Sequence, residues 1–289
     1  MTVNGATELL GVIGHPISHS FSPVMHNAAL RHLGLNHIYV PMEINPVNLE
    51  KAIQGLTALG FKGVNVTLPF KEAVIPYLDK LSTRASTVGS VNTIVVHPDG
   101  KTSGYNTDGQ GFSLALKEDL NFKCEGKRVL ILGAGGACRA VAMEAALSGA
   151  GQIIIAGRTL QKAQALIERV RQYFPSTQSS FIDIKHPELQ KQVQECDLLV
   201  NATSLGMKPE DPMLIDPSWL SAKTHIYDLI YNPLETPLLR EARKRGCPAA
   251  NGLTMLIGQG AASFYIWLDI KPPLDIMRKA ILDHLNLEE

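Results

Sequence analysis

Apolar and polar positions alternate with two different periods along the chain, which predicts strands that alternate with helices. In the first third, a two-residue period or a short apolar run marks the strands. The predicted strands of this part are 9–14, 37–44 and 62–68, with a hairpin of 92–96 and 101–104 after them. Ser22-Pro23 predicts the cap and first position of a helix that ends at Gly34, and further helices are expected at 46–58 and from Phe70. Strands that alternate with helices form largely parallel sheets.

The alternation restarts near 105–109 with strands that are apolar throughout, as expected when both faces of a sheet are covered. The predicted strands of this part are 128–132, 153–156, 179–182, 197–201, 224–228 and 247–250. Helices are expected at 111–119, from the glycine loop to Gly149, and at 159–173. This order predicts a doubly wound sheet, and helices at 253–268 and 274–285 close the chain. The expected fold is α/β with two domains.

Composition narrows the class of protein. The 289 residues exceed a typical single domain, and 45% are hydrophobic, which is ordinary for a globular protein. The formal net charge is zero, so the chain lacks the excess of basic residues that is typical of a nucleic-acid binder. The four cysteines and nine histidines show no metal-binding spacing, so we expect no metal. No charged leader precedes an apolar core and no long apolar run is free of charges, so we expect a cytoplasmic protein without a membrane span.

A glycine-rich loop follows the predicted strand 128–132 and opens a helix. It consists of Gly133, Ala134, Gly135, Gly136 and Ala137. Backbone N–H groups and the helix dipole of such a loop can hold a pyrophosphate. The third glycine of the usual fingerprint is Cys138 here, which is small enough for close packing.

The end of the next strand indicates which dinucleotide the loop would take. Domains that bind NAD carry an acid there for the ribose 2′-hydroxyl. This chain has Arg158-Thr159 instead, with Lys162 one turn later. A charge-assisted bond from Arg158 to a 2′-phosphate would contribute about 1.5–3 kcal/mol. A surface arginine at a helix start is the alternative, but the strand–loop–helix–strand context favours NADP.

Residues 201–207 end another strand of this sheet, at the edge where open α/β sheets bind ligands. The segment includes Thr203, Ser204 and Met207. Met207 is placed to pack against a nicotinamide ring, although a methionine more often fills a core.

The segment from Asn65 to Lys71 carries the strongest chemical signal of the first domain. Alternation puts Asn65 and Thr67 on one face of the strand, and Pro69 fits the opening turn of a helix. Lys71 then falls in the first turn, where the helix dipole disfavours a cation by about 0.3–1 kcal/mol. A residue that breaks a local rule often belongs to a functional site. A solvated lysine is the alternative.

Polar clusters occur at three further places of the first domain. They are Ser18-His19-Ser20, Asn92 after Gly89-Ser-Val, and Asn106-Thr107-Asp108. Helix caps and turns are the alternative roles for Ser20, Asn92 and Asp108. Together the clusters and Lys71 offer hydroxyls, amides, one cation and one carboxylate, which suit a small polyhydroxylated acid better than an apolar ligand.

Several motifs occur in a specific order over most of the chain. They are Pro16-Ile-Ser18-His-Ser20-Phe-Ser22-Pro23, Asn65-Val-Thr67-Leu-Pro-Phe-Lys71, Gly89-Ser-Val-Asn92-Thr93, Gly104-Tyr-Asn106-Thr107-Asp108-Gly109, Gly133-Ala-Gly135-Gly136-Ala137, Arg158-Thr159, Asn201-Ala-Thr203-Ser204-Leu-Gly206-Met207, Tyr227-Asp228-Leu-Ile-Tyr231-Asn232-Pro233 and Asn251-Gly252-Leu-Thr-Met-Leu-Ile-Gly258-Gln259-Gly260-Ala261. Because these motifs occur together and in this order, the chain resembles the shikimate dehydrogenases. The departures are Gly157, where the family's cofactor clasp usually has asparagine, and Lys162, where it has a second arginine. They leave the strength of NADP selectivity open, but not its direction.

The resemblance implies NADPH-dependent reduction of 3-dehydroshikimate to shikimate in aromatic amino-acid biosynthesis. It implies a catalytic pair of Lys71 and Asp108, in which we expect Lys71 to donate the proton. The implied substrate contacts are Ser18, Ser20, Asn65, Thr67, Asn92, Asp108, Tyr231 and Gln259. The expected cofactor contacts are Gly133, Ala134, Gly135, Gly136, Ala137, Arg158, Thr159, Lys162, Thr203, Ser204, Met207 and Gly252. The implied fold is a Rossmann-like NADP-binding domain, 108–252, inserted in a substrate-binding domain of residues 1–107 that the C-terminal helices of 253–289 complete.

Three other functions differ in the residues they need. A quinate/shikimate dehydrogenase tends to accept NAD, and Ser18, Ser20, Thr67 and the absence of an acid after Arg158 weigh against it. A non-catalytic NADP(H)-binding sensor would need the glycine loop but neither Lys71 nor Asp108. An enzyme like methylenetetrahydrofolate dehydrogenase would need a flatter aromatic pocket. The oligomeric state stays open, a homodimer included.

Overall fold

The computed structural model of the protein describes residues 3–285, which divide into two compact units. Within that range the first unit runs to Asp108 and resumes at Ile257, and the second is Gly109–Leu256. The chain passes from one unit to the other inside two helices, Asp108–Leu120 and Leu253–Leu268. No helix in residues 3–285 combines the length and the apolar character that a membrane crossing requires.

The first unit is built on a mixed six-stranded sheet. Its strands are β1 (Glu8–Gly14), β2 (His37–Glu43), β3 (Phe61–Val66), β4 (Lys80–Leu81), β5 (Thr93–Val96) and β6 (Thr102–Tyr105). They lie in the order β2-β1-β3-β5-β6-β4. The expectation of parallel pairing holds for β1, β2 and β3, whereas β5 runs antiparallel to both β3 and β6. The short β4 was not predicted, because two residues are too few to show a period.

The first unit also contains several helices. They are α1 (Ser22–His32), α2 (Leu49–Ala58), α3 (Phe70–Ala73), α4 (Thr83–Val88), the part of α10 (Leu253–Leu268) that belongs to this unit, and α11 (Leu274–His284). The prediction of Ser22 as the N-cap is wrong, since Phe21 precedes the helix and Ser20 Oγ accepts from the Ser22 N–H at 3.3 Å. The predicted helix at 46–58 begins as a 3-10 turn, Pro46–Asn48. The sequence pattern also missed α4, which has only six residues.

The second unit has a fully parallel sheet. Its strands are β7 (Arg128–Leu132), β8 (Gln152–Gly157), β9 (Gln178–Asp183), β10 (Leu198–Asn201), β11 (His225–Asp228) and β12 (Ala249–Ala250). They lie in the order β9-β8-β7-β10-β11-β12, which is the doubly wound 3-2-1-4-5-6 order of dinucleotide-binding domains. The α/β fold class predicted from the sequence is therefore confirmed. The order reverses between β7 and β10, so the crevice of this fold lies at their carboxyl ends.

The helices of the second unit connect these strands. They are α5 (Asp108–Leu120), α6 (Gly136–Leu147), α7 (Leu160–Tyr173), α8 (Leu189–Glu195), α9 (Pro237–Lys244) and the first residues of α10. The sequence pattern does not predict α8 and α9, which have seven and eight residues and bury only two and three of them. Strand β7 forms the centre of the core, since Val129, Leu130, Ile131 and Leu132 are fully buried.

Candidate active site

One edge of the first sheet gathers most of the predicted substrate residues. The carboxyl ends of β1, β3 and β6 meet at that edge, and the amino end of the antiparallel β5 joins them. The residues that these ends present are Ser18 and Ser20 after β1, Thr67 and Lys71 after β3, Asn92 before β5, and Asp108 after β6. The topology therefore assembles polar groups from four separate stretches of sequence.

Lys71 and Asp108 form the charged centre of this cluster. Lys71 Nζ lies 2.6 Å from Asp108 Oδ2, and the two side chains are 22% and 10% exposed. Lys71 is the second residue of the single-turn helix α3, as the sequence pattern predicted. The alternative of a freely solvated lysine is wrong, because its ammonium group is bonded to a nearly buried carboxylate.

Asn92 joins this pair to helix α10. Its Nδ2 donates to Asp108 Oδ1 at 2.9 Å and to Gln259 Oε1 at 3.2 Å. Its Oδ1 accepts from the Thr107 N–H at 2.8 Å. Asn92 is only 2% exposed, so these bonds form away from bulk water. Asn92 is therefore a buried link between Asp108 and Gln259 rather than the turn residue considered as its alternative role.

Asn65 differs from the other predicted substrate residues in its surroundings. It is 5% exposed, and its Oδ1 accepts from the Tyr39 hydroxyl at 2.7 Å. Its Nδ2 lies 3.0 Å from both the Asn92 carbonyl oxygen and Ser263 Oγ. The protein thus supplies partners on both sides of the Asn65 amide. In contrast, Ser18 is exposed, and Ser20 and Thr67 are half-buried.

In the second unit, the glycine loop follows β7 at the point where the strand order reverses. Gly133 has φ +107, a backbone conformation that favours glycine. Helix α6 has Gly135 as its N-cap and no side chain bonded to its first N–H groups. A Cβ added at Gly135 would meet no atom within 4 Å. The loop therefore leaves open space beside the amino end of a twelve-residue helix, and this donor set fits a pyrophosphate.

Arg158 and Thr159 follow β8, which pairs with β7, and Lys162 lies in the first turn of α7. All three side chains are exposed. A Cβ added at Gly157 would lie 3.7 Å from the Ala134 Cβ, so the end of β8 is a close neighbour of the glycine loop. The two cations fit a phosphate on the ribose of a dinucleotide held by that loop.

Cys138 occupies the position of the third fingerprint glycine and is fully buried. Burial raises the pKa of its thiol to about 12. The thiol therefore serves as a small apolar packing group at the start of α6, as the sequence analysis expected.

The segment after β10 lies beside the glycine loop. Asn201 Oδ1 accepts from the Thr203 N–H at 2.9 Å and from the Thr203 hydroxyl at 2.8 Å. A Cβ added at Gly133 would come within 2.9 Å of Thr203 Cγ2. Ser204 is exposed, and Met207 is 52% exposed, which excludes the core-filling role considered for this methionine.

Asp228, which the sequence analysis did not assign, connects this segment to the one that carries Tyr231. Its Oδ1 accepts from Asn201 Nδ2 at 2.9 Å and from the Ile230 N–H at 3.1 Å. Its Oδ2 accepts from the Thr236 hydroxyl at 2.7 Å. Burial raises the pKa of Asp228 to about 6. The signal in the sequence was its place in the motif from Tyr227 to Pro233, three residues before Tyr231.

Tyr231 and Gly252 both belong to the second unit. Tyr231 is half-buried, and burial raises the pKa of its phenol. Gly252 packs so closely that an added Cβ would clash with the Leu229 carbonyl oxygen. In the first unit, no sequence pattern indicated Tyr39, Thr93 and Ser263 as partners of the polar cluster. The spacing of Ser263, four residues after Gln259 on a predicted helix, could have indicated it.

A doubly wound unit with a glycine loop and two exposed cations, in a chain that also carries a lysine–carboxylate pair, defines an oxidoreductase that uses a nicotinamide dinucleotide. Three family profiles match the chain. They are the shikimate dehydrogenase substrate binding domain over 12–94, shikimate / quinate 5-dehydrogenase over 114–208, and the shikimate 5′-dehydrogenase C-terminal domain over 252–282. The chain belongs to the shikimate dehydrogenase family.

Relatives and solved structures agree with this assignment. The shikimate dehydrogenase (NADP(+)) of Geobacter metallireducens is 44% identical over 286 residues, which cover 99% of this chain and 100% of the relative. A crystal structure of shikimate dehydrogenase in complex with NADP+ is 42% identical and superposes with a TM-score of 0.90, covering 98% of this chain and 97% of that one. The Listeria monocytogenes shikimate 5-dehydrogenase in complex with shikimate and NAD is 38% identical, with a TM-score of 0.91 and coverage of 97% and 98%.

Proposed function

We propose that this protein catalyses the reversible NADPH-dependent reduction of 3-dehydroshikimate to shikimate, a step of aromatic amino-acid biosynthesis. The observation that carries the proposal is the Lys71–Asp108 pair, whose Nζ and Oδ2 atoms are 2.6 Å apart in a cluster of hydroxyls and amides. The family to which the chain belongs acts on a small hydroxylated acid, and this cluster offers the hydrogen-bonding groups that such a molecule requires.

The substrate would bind at the carboxyl edge of the first sheet. Ser18 is exposed and Ser20 and Thr67 are partly exposed, so each can offer a hydroxyl to a ligand. Asn92 and Gln259 lie beside Asp108 and offer amide groups. In this proposal Tyr231 offers a phenol as a further substrate contact. A site built from so many hydrogen-bonding groups discriminates strongly against analogues that lack a hydroxyl.

NADPH, when bound, supplies the hydride that reduces the substrate carbonyl carbon. Lys71 is the general acid, and its ammonium group gives a proton to the carbonyl oxygen as negative charge develops there. Asp108 holds Lys71 in place through the 2.6 Å contact and orients a neighbouring substrate hydroxyl. In the oxidation of shikimate the neutral Lys71 takes the proton from the same oxygen as the hydride leaves.

The cofactor would be held by the carboxyl ends of β7, β8 and β10. The glycine loop, Gly133 to Ala137, is open beside the amino end of α6 and would bind the pyrophosphate. Arg158, Thr159 and Lys162 would bind the 2′-phosphate. Thr203, Ser204, Met207 and Gly252 would line the nicotinamide side.

Quinate is the second candidate substrate. The profile that matches 114–208 describes shikimate / quinate 5-dehydrogenases together, and Lys162 offers one point charge where an arginine would offer a fork of donors. A non-catalytic sensor is a weaker candidate, since it would have no use for the bonded Lys71–Asp108 pair.

Four parallel assays test the proposal. Purified protein is mixed with shikimate or quinate, each with NADP or NAD, and the absorbance of the reduced nicotinamide is followed. We expect turnover largely confined to shikimate with NADP. Comparable rates with quinate or NAD would assign the broader-specificity activity instead. No turnover in any pairing, with NADP still bound in calorimetry, would overturn the proposal in favour of a sensor.

A further inference from the structure

Ser263 is a fully buried serine in the middle of α10, and its hydroxyl is the meeting point of the polar cluster in the first unit. Ser263 Oγ lies within hydrogen-bond distance of four polar atoms of the described residues. They are Thr93 Oγ1 at 2.7 Å, Gln259 O at 3.0 Å, Asn65 Nδ2 at 3.0 Å and Thr107 Oγ1 at 3.2 Å. A hydroxyl with one hydrogen and two lone pairs is thereby fully committed to the protein.

The shortest contacts favour one donor direction through this cluster. The phenol of Tyr39 donates to Asn65 Oδ1, which turns Asn65 Nδ2 toward Ser263. Ser263 Oγ accepts that bond, and its single hydrogen has two acceptors within reach, Thr93 Oγ1 at 2.7 Å and the Gln259 carbonyl oxygen at 3.0 Å, of which Thr93 is the nearer. The Thr93 hydroxyl then donates to Asn92 Oδ1 at 3.0 Å.

The Thr107 N–H sets the orientation of the Asn92 amide, and the Thr93 hydroxyl supports it. Asn92 Oδ1 accepts from the Thr93 hydroxyl and from the Thr107 N–H, so it faces away from Asp108. Asn92 Nδ2 consequently faces Asp108 Oδ1 at 2.9 Å. The reverse orientation would set a carbonyl oxygen against a carboxylate, which offers no hydrogen to share.

We propose that Ser263 is a positioning residue, which acts through Thr93 to hold the Asn92 amide against Asp108 and thereby holds Asp108 against Lys71. The idea rests on the proposed function, because it assumes that Lys71 and Asp108 perform the proton transfer. Ser263 itself touches neither substrate nor cofactor in this account. Loss of its hydroxyl would leave Asn65 Nδ2 without one partner in a buried site and would loosen Asn92.

A purely structural role for Ser263 predicts lost stability without a specific loss of turnover. The two roles are separated by matched pairs of variants. Ser263→Ala and Thr93→Val each remove one hydroxyl of the relay, while Thr93→Ser keeps it. Ser103→Ala is the control, since Ser103 is 7% exposed in the same unit and its hydroxyl lies 2.8 Å from His97 Nε2, outside the relay.

We expect Ser263→Ala and Thr93→Val each to lower kcat for shikimate oxidation about tenfold, because misplacement of a catalytic group is costly. The KM for NADP should stay within about twofold of wild type, since no cofactor contact changes. The double variant should be no more than about threefold worse than either single one, as expected for residues that act in one chain. Thr93→Ser should recover most of the turnover that Thr93→Val loses.

The second measurement needs no activity. Hydrogen exchange of the Asn92 side-chain amide, assigned in NMR spectra by its loss in Asn92→Asp, should be faster in Ser263→Ala and unchanged in Ser103→Ala.

The inference is overturned if exchange is unaffected, or if wild-type protein turns over shikimate and Ser263→Ala keeps kcat within about twofold. It is also overturned if Ser103→Ala loses as much turnover. Wild-type protein without turnover would overturn the proposed function, while the exchange result would still decide the relay. Thr93→Val carries the test if Ser263→Ala does not fold.

Discussion

The two units hold their functional residues in opposite ways. In the first unit Asp108 and Asn92 are buried and are bonded to other side chains. In the second unit the glycine loop is open, and Arg158 and Lys162 extend into solvent. Proton transfer requires groups that are positioned before the substrate arrives, whereas phosphate recognition uses backbone N–H groups and cations that find their partners in the ligand. Substitutions in the first unit should therefore change turnover, and those in the second should change cofactor affinity.

Lys71→Ala should have the largest effect, because it removes the proposed general acid. We expect kcat to fall about 10²–10⁴-fold, as is typical for loss of a general acid. Stopped-flow and steady-state absorbance of the reduced nicotinamide would measure it.

The control for this variant is Lys62→Ala, which removes an exposed lysine of β3 whose Nζ lies 3.0 Å from Glu8 Oε1. It should retain wild-type turnover. A Lys71→Ala enzyme with more than about a tenth of wild-type kcat would rule out this residue as the acid.

Arg158→Ala should change the choice of cofactor rather than the chemistry. Loss of a charge-assisted bond of about 1.5–3 kcal/mol predicts a fall of about tenfold to 150-fold in kcat/KM for NADP relative to NAD. Lys162→Ala should give a smaller shift in the same direction. Arg169→Ala removes a cation from the same helix, where its guanidinium lies 5.5 Å from the Tyr173 ring centroid. An equal shift in Arg169→Ala would indicate a general charge effect.

Gly135→Val should weaken the cofactor without unfolding the protein. Gly135 has φ −94 and ψ −171, which any residue can adopt, and an added Cβ would meet no atom within 4 Å. The side chain would fill the space proposed for the pyrophosphate, so we expect the dissociation constant of NADP to rise about tenfold to a hundredfold, or about 1.4–2.7 kcal/mol. Gly55→Ala, where an added Cβ also meets nothing, is the control. Unchanged NADP affinity in Gly135→Val would place the pyrophosphate elsewhere.

His26→Phe should have the smallest effect, which is on the pH dependence of the stability of the protein. His26 is fully buried and stacks on Tyr39 with ring centroids 4.4 Å apart. Burial lowers its pKa to about 3. Below pH 6.5 His26 therefore binds a proton in the unfolded chain but not in the folded protein, and stability falls as the pH falls. From pH 7.5 to 5.5 this contributes a loss of about 1.4 kcal/mol, which His26→Phe should abolish.

Denaturant unfolding at the two pH values measures this loss. The control is His32→Phe, which replaces an exposed histidine of the same helix. If it flattened the pH dependence as much as His26→Phe does, burial of His26 would not be the cause.

The second unit was the more predictable of the two from sequence. A buried strand, a glycine loop and a helix follow one another locally, so β7, the loop and α6 could be placed from neighbouring residues alone. Arg158 could also be proposed from the sequence, because the position that contacts the ribose lies at a typical distance from the glycine loop along the chain. Short helices such as α8 were not predicted, since one or two turns show too few periodic positions.

The first unit depends on contacts that are distant in sequence. The residues that end its strands could be named, but their partners could not. Asn65 and Ser263 are 198 positions apart in sequence and are hydrogen-bonded in the buried cluster. No local pattern distinguishes a serine that bonds across the unit from one that caps a helix. Tertiary structure was required to show that Asn65 is enclosed by the protein while Ser18 is exposed.

The measurement that tests this division most directly is a crossed comparison of Lys71→Ala and Arg158→Ala. Each variant is assayed for shikimate turnover at saturating NADP and for NADP binding by calorimetry. We expect Lys71→Ala to lose turnover but to bind NADP as wild type does, and Arg158→Ala to bind NADP weakly but to keep its turnover at saturation. Equal loss of NADP affinity in both variants, or equal loss of saturated turnover in both, would contradict it.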